Sequence, residues 1–148
     1  MSWFDLNNGM GVTQFYGAAI NPTTGVIMGG SQDNGTTRYP GTGSSTESWT
    51  TTFGADGGHA EADPTDPNYF YGEIQDMRIF RSVNGGQTAS YIYNTGPNPI
   101  VEPNPNFIAP FELDPNAPTT MLAGGAQLWR SQNVKNGIPS WFSIKPSL

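Results

Sequence analysis

Hydrophobic and polar positions alternate along this chain in short segments, and turn-forming residues separate one segment from the next. An alternation with a period of two predicts half-buried β-strands. The pattern predicts twelve strands in three groups of four. They are Gln14–Ile20, Gly25–Gly30, Thr36–Tyr39 and Ser48–Phe53; His59–Ala62, Tyr69–Ile74, Met77–Arg81 and Thr88–Tyr93; Phe107–Leu113, Thr120–Ala126, Gln127–Arg130 and Ser140–Ile144.

The three groups share a repeated layout. Asn21-Pro22, Asp63-Pro64 and Asp114-Pro115 join the first two strands of each group, and these prolines lie 42 and 51 residues apart. A second mark is a glutamine placed three residues after a glycine, at Gln32, Gln75 and Gln127. Four short strands in each period of about 40 to 50 residues are typical of a β-propeller blade.

We therefore predict an all-β fold made of four-stranded antiparallel blades. Three blades form an incomplete propeller, because closing a ring takes about four to eight. The predicted division is a lead-in at 1–12 with a turn at Asn7–Gly9, blade 1 at 13–56, blade 2 with a proline-rich link at 57–105, and blade 3 at 106–148. We expect a longer parent chain to supply the remaining blades.

Composition supports this prediction and restricts the classes of binding partner. The 148 residues include 19 Gly and 13 Pro, yet 12% are aromatic, which favours short strands and many turns over disorder. A net charge of −6 argues against nucleic acid and anionic membrane surfaces as partners. The sequence contains no apolar run of the roughly 18 residues that a membrane span needs, and no signal peptide pattern. Because cysteine is absent, disulfides and thiolate metal sites are excluded.

Two turns carry a family resemblance. The segment from Ser82 to Thr88 resembles the Asp-box of bacterial-neuraminidase-repeat propellers, with Asn84 in place of Asp, and the segment from Ser131 to Trp141 looks like a second copy with two inserted residues. The phrases TQFYGAAINP, GGSQDNGT and FGADGGHAEADP are similar to stretches of large sialidase-like and sortilin-like propellers, a group that includes xyloglucan-cleaving glycoside hydrolases. The resemblance implies an extracellular or cell-envelope protein.

The Asp-box residues have a structural interpretation. A small polar side chain that bonds backbone N–H groups in a glycine turn stabilises a hairpin. We expect this role for the following residues: Ser82, Asn84, Gly86, Thr88, Ser131, Asn133, Gly137 and Trp141.

Chemistry is expected on the opposite rim of the blades, where the turn between second and third strands meets the link between blades. This rim is predicted to carry the ligand-binding residues Gln32, Asn34, His59, Gln75 and Asp76. Glycoside hydrolysis needs two carboxylates, about 5 Å apart or about 6.5–9.5 Å apart. Asp33 and Asp56 are the hypothetical pair, although both also suit ordinary turns. No cofactor is expected. Oxygen-only calcium binding by the same two aspartates and backbone carbonyls is an alternative that no calcium-loop spacing supports, and a histidine-based metal site would have to be built around His59 alone.

Two functions stay open. The chain is either a module or scaffold that binds glycan or protein, or part of a sialidase-like or xyloglucanase-like glycoside hydrolase, so enzymatic activity is uncertain. The aromatic residues Trp49, Tyr91, Trp129 and Trp141 fit packing between blades better than the alternative, a surface on which sugars stack. The sialidase version is the weaker one, because Arg81 and Arg130 stand at equivalent repeat positions and no Arg-Ile-Pro motif occurs.

Overall fold

The computed structural model describes residues 12–145, so the predicted turn at Asn7–Gly9 lies outside the described residues. This part of the chain contains twelve β-strands, and no helix in it is long and apolar enough to cross a membrane. The strands are β1 Gly17–Ile20, β2 Ile27–Ser31, β3 Gly35–Tyr39, β4 Thr50–Phe53, β5 Gly57–Ala62, β6 Phe70–Ile74, β7 Arg78–Ser82, β8 Ser90–Tyr91, β9 Phe111–Leu113, β10 Met121–Gly124, β11 Leu128–Ser131 and β12 Phe142–Lys145.

The strands form three separate four-stranded sheets, each in plain chain order and antiparallel throughout. Strands β1–β4 make blade 1, β5–β8 make blade 2, and β9–β12 make blade 3. The predicted all-β fold of four-stranded blades is confirmed. The residue limits drawn for the lead-in and the blades stay a prediction.

Several predicted strands extend too far at their outer ends. The strand predicted at Phe107–Leu113 begins at Phe111, because the backbone at Phe107 and Ala109 bonds to blade 2. The N–H of Asp76 donates to the carbonyl of Phe107, and the N–H of Ala109 donates to Glu73. The hydrophobic pattern does not reveal this, because link residues packed between two sheets are as apolar as strand residues.

In each Asx-Pro turn, the side chain of the first residue accepts hydrogen bonds from the backbone of the residues that follow it. The Oδ1 atom of Asn21 accepts from the N–H groups of Thr23 and Thr24, both at 3.0 Å. Asp63 and Asp114 accept in the same way from the residues two and three positions further on. An Asx side chain that bonds backbone N–H groups ahead of it is a self-contained turn, which explains why the motif recurs once per blade.

The core lies between the blades. Blades 1 and 2 bury Val26 and Met28 against Phe70, Ile74 and Phe80.

Blades 2 and 3 bury a larger cluster that includes Tyr71 and Ile79 from one side and Phe111, Trp129 and Trp141 from the other. A single blade cannot cover its own two faces, so packing on a neighbour provides most of its stability.

The first strands of the blades converge. Strand β5 contacts β1 and β2 on one side and β9 on the other, which places the first strands at the inner edge of the blades, where a propeller has its channel. Blades 1 and 2 meet here through backbone alone, since a Cβ atom on Gly30 would stand 2.3 Å from the carbonyl oxygen of Gly58. Only glycine permits this approach.

Candidate functional site

The turns of the three blades lie on two rims. One rim, called the capped rim below, carries the Asx-Pro turns and the turns between third and fourth strands. The other, the open rim, carries the turns 31–35, 74–78 and 124–128 and the link 53–57 between blades 1 and 2.

Polar side chains on the capped rim bond to their own backbone. In the turn after β7, Ser82 Oγ accepts from the N–H groups of Asn84 and Gly86, and Asn84 Oδ1 accepts from the N–H of Thr88 at 3.0 Å.

The turn after β11 has the same layout. Asn133 Oδ1 accepts from the Ser140 N–H at 2.9 Å, and the longer spacing accommodates the insertion that contains Gly137. Trp141 is buried and donates its indole N–H to the carbonyl of Ile92 in blade 2. These contacts are those of a stabilised hairpin.

Asp33 and Asp56 come together on the open rim, but not as two facing carboxyl groups. Asp56 Oδ1 accepts the backbone N–H of Asp33 at 2.7 Å, so this carboxylate caps the turn 31–35. Asp33 itself has a φ of 63°, a left-handed value that Asp and Asn tolerate better than most residues. Within residues 12–145 the exposed carboxylate of Asp33 accepts no hydrogen bond, whereas one oxygen of Asp56 bonds to the neighbouring turn.

A cleft opens beside this turn. It has a volume of about 430 Å³ and is lined by Val12, Thr13, Gln14, Tyr16, Gln32, Asp33 and Asn34. The hydroxyl of Tyr16 donates to Gln32 Oε1 at 2.5 Å, and the Tyr16 ring is half-exposed. We call this group the rim cleft; it combines one aromatic face with amide and carboxylate groups.

Gln75 and Asp76 lie on the turn of the next blade. Asp76 pairs with Arg78 at 3.3 Å, and both side chains are largely exposed. Among the described residues, no hydrogen bond joins Asp76 to Asp33 or Asp56. The structure thus groups Gln32, Asp33, Asn34 and Asp56, and places Gln75 and Asp76 on a separate turn.

His59 belongs to a second cluster, at the channel. Its Nε2 lies 3.3 Å from Glu61 Oε1, and its ring packs edge-on against Phe111 of blade 3 with 5.0 Å between centroids. One donor atom each from His59, Glu61 and Glu112 lie within 4.8 Å of one another. We call these three residues the channel cluster; they could hold a divalent cation between β5 and β9.

The electrostatics of the channel cluster favour a protonated histidine. The hydrogen bond to Glu61 and the charges of Glu61, Glu73 and Glu112 raise the pKa of His59 above its ordinary value, although partial burial acts against them. The sequence analysis missed Glu61 and Glu112. The one available signal was the two-residue spacing of His59 and Glu61, which puts both on one face of a strand.

A third missed residue, Glu73, lies behind this cluster. It is fully buried on β6 and accepts the His59 N–H at 3.1 Å and the Ala109 N–H at 3.3 Å, so it ties β5 and the link before β9 to the centre of blade 2. Burial raises its pKa to about 7, against the effect of those two hydrogen bonds. The glycine at position 58 makes room for the carboxyl, since a Cβ there would lie 2.7 Å from Glu73 Oε1.

Comparison with known proteins supports the fold. No family model matches the chain, and no match is found among curated proteins. Among solved structures, a GH74 xyloglucanase from Xanthomonas campestris matches with a TM-score of 0.57 and 20% sequence identity, over 90% of this chain and 21% of that protein. The chain thus spans about a fifth of this neighbour, and at that identity the match shows the β-propeller fold alone.

Proposed function

We propose that the chain forms three blades of a secreted β-propeller that binds glycans on its open rim, with further blades of a longer parent chain completing the ring. The rim cleft carries this proposal. Its exposed Tyr16 ring offers an apolar face on which a sugar ring can stack, and Gln32 and Asn34 provide donors and acceptors for sugar hydroxyls. A concave surface with a few convergent polar groups is the usual form of a small-ligand site.

Binding without turnover suits the rim better than catalysis by Asp33 and Asp56. Glycoside hydrolysis requires one carboxyl to be held protonated by an apolar setting, with the second poised opposite it. Asp33 lies exposed on a polar turn, and Asp56 accepts the Asp33 N–H. Both features are those of a turn that presents side chains to a ligand.

The test is calorimetric titration with oligosaccharides cut from xyloglucan and cellulose, and with sialylated glycans. We expect Gln32→Ala to weaken glycan affinity about tenfold, since one hydrogen bond contributes about 1 to 1.5 kcal/mol. Gln132→Ala is the matched control, because this exposed glutamine stands on the capped rim. Absence of binding across the panel, or equal losses in both variants, would contradict the proposal.

A second candidate function, glycoside hydrolysis, is favoured by the channel cluster. One oxygen each of Glu61 and Glu112 lie within 4.8 Å of each other, in the range of the roughly 5 Å separation of retaining enzymes. The matching solved structure is a xyloglucanase. Hydrolysis predicts that reducing sugar is released from xyloglucan and that Glu112→Gln lowers the rate at least about 100-fold. The Asp33→Asn variant, assayed alongside Glu112→Gln, tests the carboxylate pair predicted from sequence. If the unmodified protein releases no reducing sugar, both catalytic assignments are excluded.

A further inference from the structure

Three arginines occupy the same position in the three blades. Arg38 pairs with Met28, Arg81 with Tyr71 and Arg130 with Leu122, in each case opposite the second residue of the second strand. Partners across an antiparallel pair point to the same side of the sheet. Each arginine therefore lies on the side of its blade that faces the next blade in chain order.

The first two arginines donate to a turn of the following blade. Arg38 Nε donates to the carbonyl of Gly85 at 2.6 Å, in the capped-rim turn of blade 2. Arg81 donates to the carbonyls of Val134, at 2.5 Å, and of Asn136 in the corresponding turn of blade 3. A guanidinium has several donors in a fixed plane, which suits a group of carbonyl oxygens in one turn.

The residues around these two arginines are covered by the next blade. Met28 and Tyr71 are both 0% exposed. At the equivalent place in blade 3, Leu122 is 37% exposed and Arg130 is exposed.

Phe142 and Ile144 of β12 are exposed beside them, and Leu122, Arg130 and Ile144 line an open cleft of about 410 Å³. We call the side of blade 3 formed by Leu122, Arg130, Phe142 and Ile144 its outer face. Like the two covered faces, it combines an apolar or aromatic residue of the second strand with an arginine of the third strand.

We propose that the outer face of blade 3 docks a fourth blade of the same repeat, which follows in the same polypeptide and accepts Arg130 through carbonyl oxygens of its capped-rim turn. The argument is continuity with the two observed junctions, in which each arginine reaches the next blade along the chain. At the junction of blades 1 and 2 the acceptor turn carries a glycine opposite the arginine stem, since a Cβ on Gly86 would stand 3.2 Å from Arg38 Cδ. The inference rests on the ring completion in the proposed function, and it names the contact that continues the ring.

The experiment lengthens the chain by one blade. A second copy of residues 94–148, which contains the link and blade 3, is appended after Leu148, because blade 3 is a blade that accepts an arginine from its predecessor. Arg130→Ala is made in the 148-residue chain and in the lengthened chain, and Tm is measured for each. We expect no shift in the 148-residue chain, and a loss of roughly 2–8 °C in the lengthened chain when the acceptor carbonyls lose their donor.

Two controls fix the interpretation. Arg81→Ala removes a donor that already has its acceptors, so it lowers Tm in both chains. Arg78→Ala removes an arginine of the open rim and lowers Tm in neither chain.

If Arg130→Ala leaves the Tm of the lengthened chain unchanged, the proposal is overturned. Sedimentation of the 148-residue chain as a dimer that Arg130→Ala dissociates also overturns it, because a second copy then occupies the face. Tm is independent of glycan affinity, so failure here is separate from failure of glycan binding.

Discussion

The capped rim and the open rim use the same kinds of residue for opposite purposes. On the capped rim, Asn21 and Asp63 are 0% exposed and accept two or more hydrogen bonds from the backbone that follows them. On the open rim, Asp33 and Asp76 are exposed, and within residues 12–145 the carboxylate of Asp76 bonds only to the side chain of Arg78. The difference teaches that an aspartate in a turn is a structural residue where the turn is packed, and an available one where the turn faces solvent.

The largest effect is expected from Asp63→Ala. This buried carboxylate accepts three hydrogen bonds from Thr65 and Asp66 and pairs with Lys135 of blade 3 at 2.5 Å. Its loss leaves a mostly buried lysine without its partner, so we expect a drop of about 3–4 kcal/mol in the free energy of unfolding. Urea denaturation measures it.

Asp76→Ala on the open rim is the matched control. It removes an exposed pair with Arg78 and is expected to change stability by less than about 0.5 kcal/mol. Equal losses in the two aspartate variants would mean that the contrast between the rims is wrong.

A pH dependence of similar size is expected from Glu73, which lies between the rims. Its pKa is raised from 4.5 to about 7 in the folded protein, so the folded state binds the proton more tightly than the unfolded state does. The contribution of Glu73 to stability is therefore fully present below about pH 4.5. It is lost as the pH rises to about 7, by on the order of 3 kcal/mol.

Denaturation between pH 4.5 and 8 checks this, with Glu73→Gln expected to flatten the curve. The raised pKa of His59 also makes stability fall as the pH rises. A His59→Gln variant therefore shows how much of the remaining pH dependence of stability comes from this histidine. Asp63 contributes at lower pH, because hydrogen bonds from Lys135 and Thr65 outweigh its burial and lower its pKa, so its contribution is lost as the pH falls below 3.8. An unchanged slope in Glu73→Gln would exclude the buried carboxyl as its source.

The smallest of these effects separates two asparagines. Asn133 on the capped rim accepts the N–H of Ser140, and we expect Asn133→Ala to cost about 1–1.5 kcal/mol. Among the described residues, the side chain of Asn34 on the open rim bonds only to the carbonyl of Gln32, two residues earlier, so Asn34→Ala is expected to cost under about 0.5 kcal/mol. A larger loss in Asn34→Ala than in Asn133→Ala would reverse the assignment of the two rims.

The short-range sequence pattern was sufficient to predict the strands of the three blades. The alternation that predicts twelve strands and the Asx-Pro turns that separate them act between residues close in the chain, and each predicted strand overlaps an observed one. The candidate site was only partly predictable. Gln32, Asp33, Asn34 and Asp56 lie in turn sequences that can be recognised. Glu73 and Glu112 stand inside strands, where a lone carboxylate has no local signature, and Glu61 had only its two-residue spacing from His59.

The sequence by itself determined the blade, because a strand pattern and a turn are decided by neighbouring residues. Tertiary structure decided which polar groups are free. Asp56 is committed to the turn of Asp33, 23 positions away, and Glu73 is buried against Ala109, 36 positions away. Exposure, hydrogen bonding and pKa depend on what packs against a side chain from other blades. Those contacts are made by chain segments whose approach no local pattern encodes.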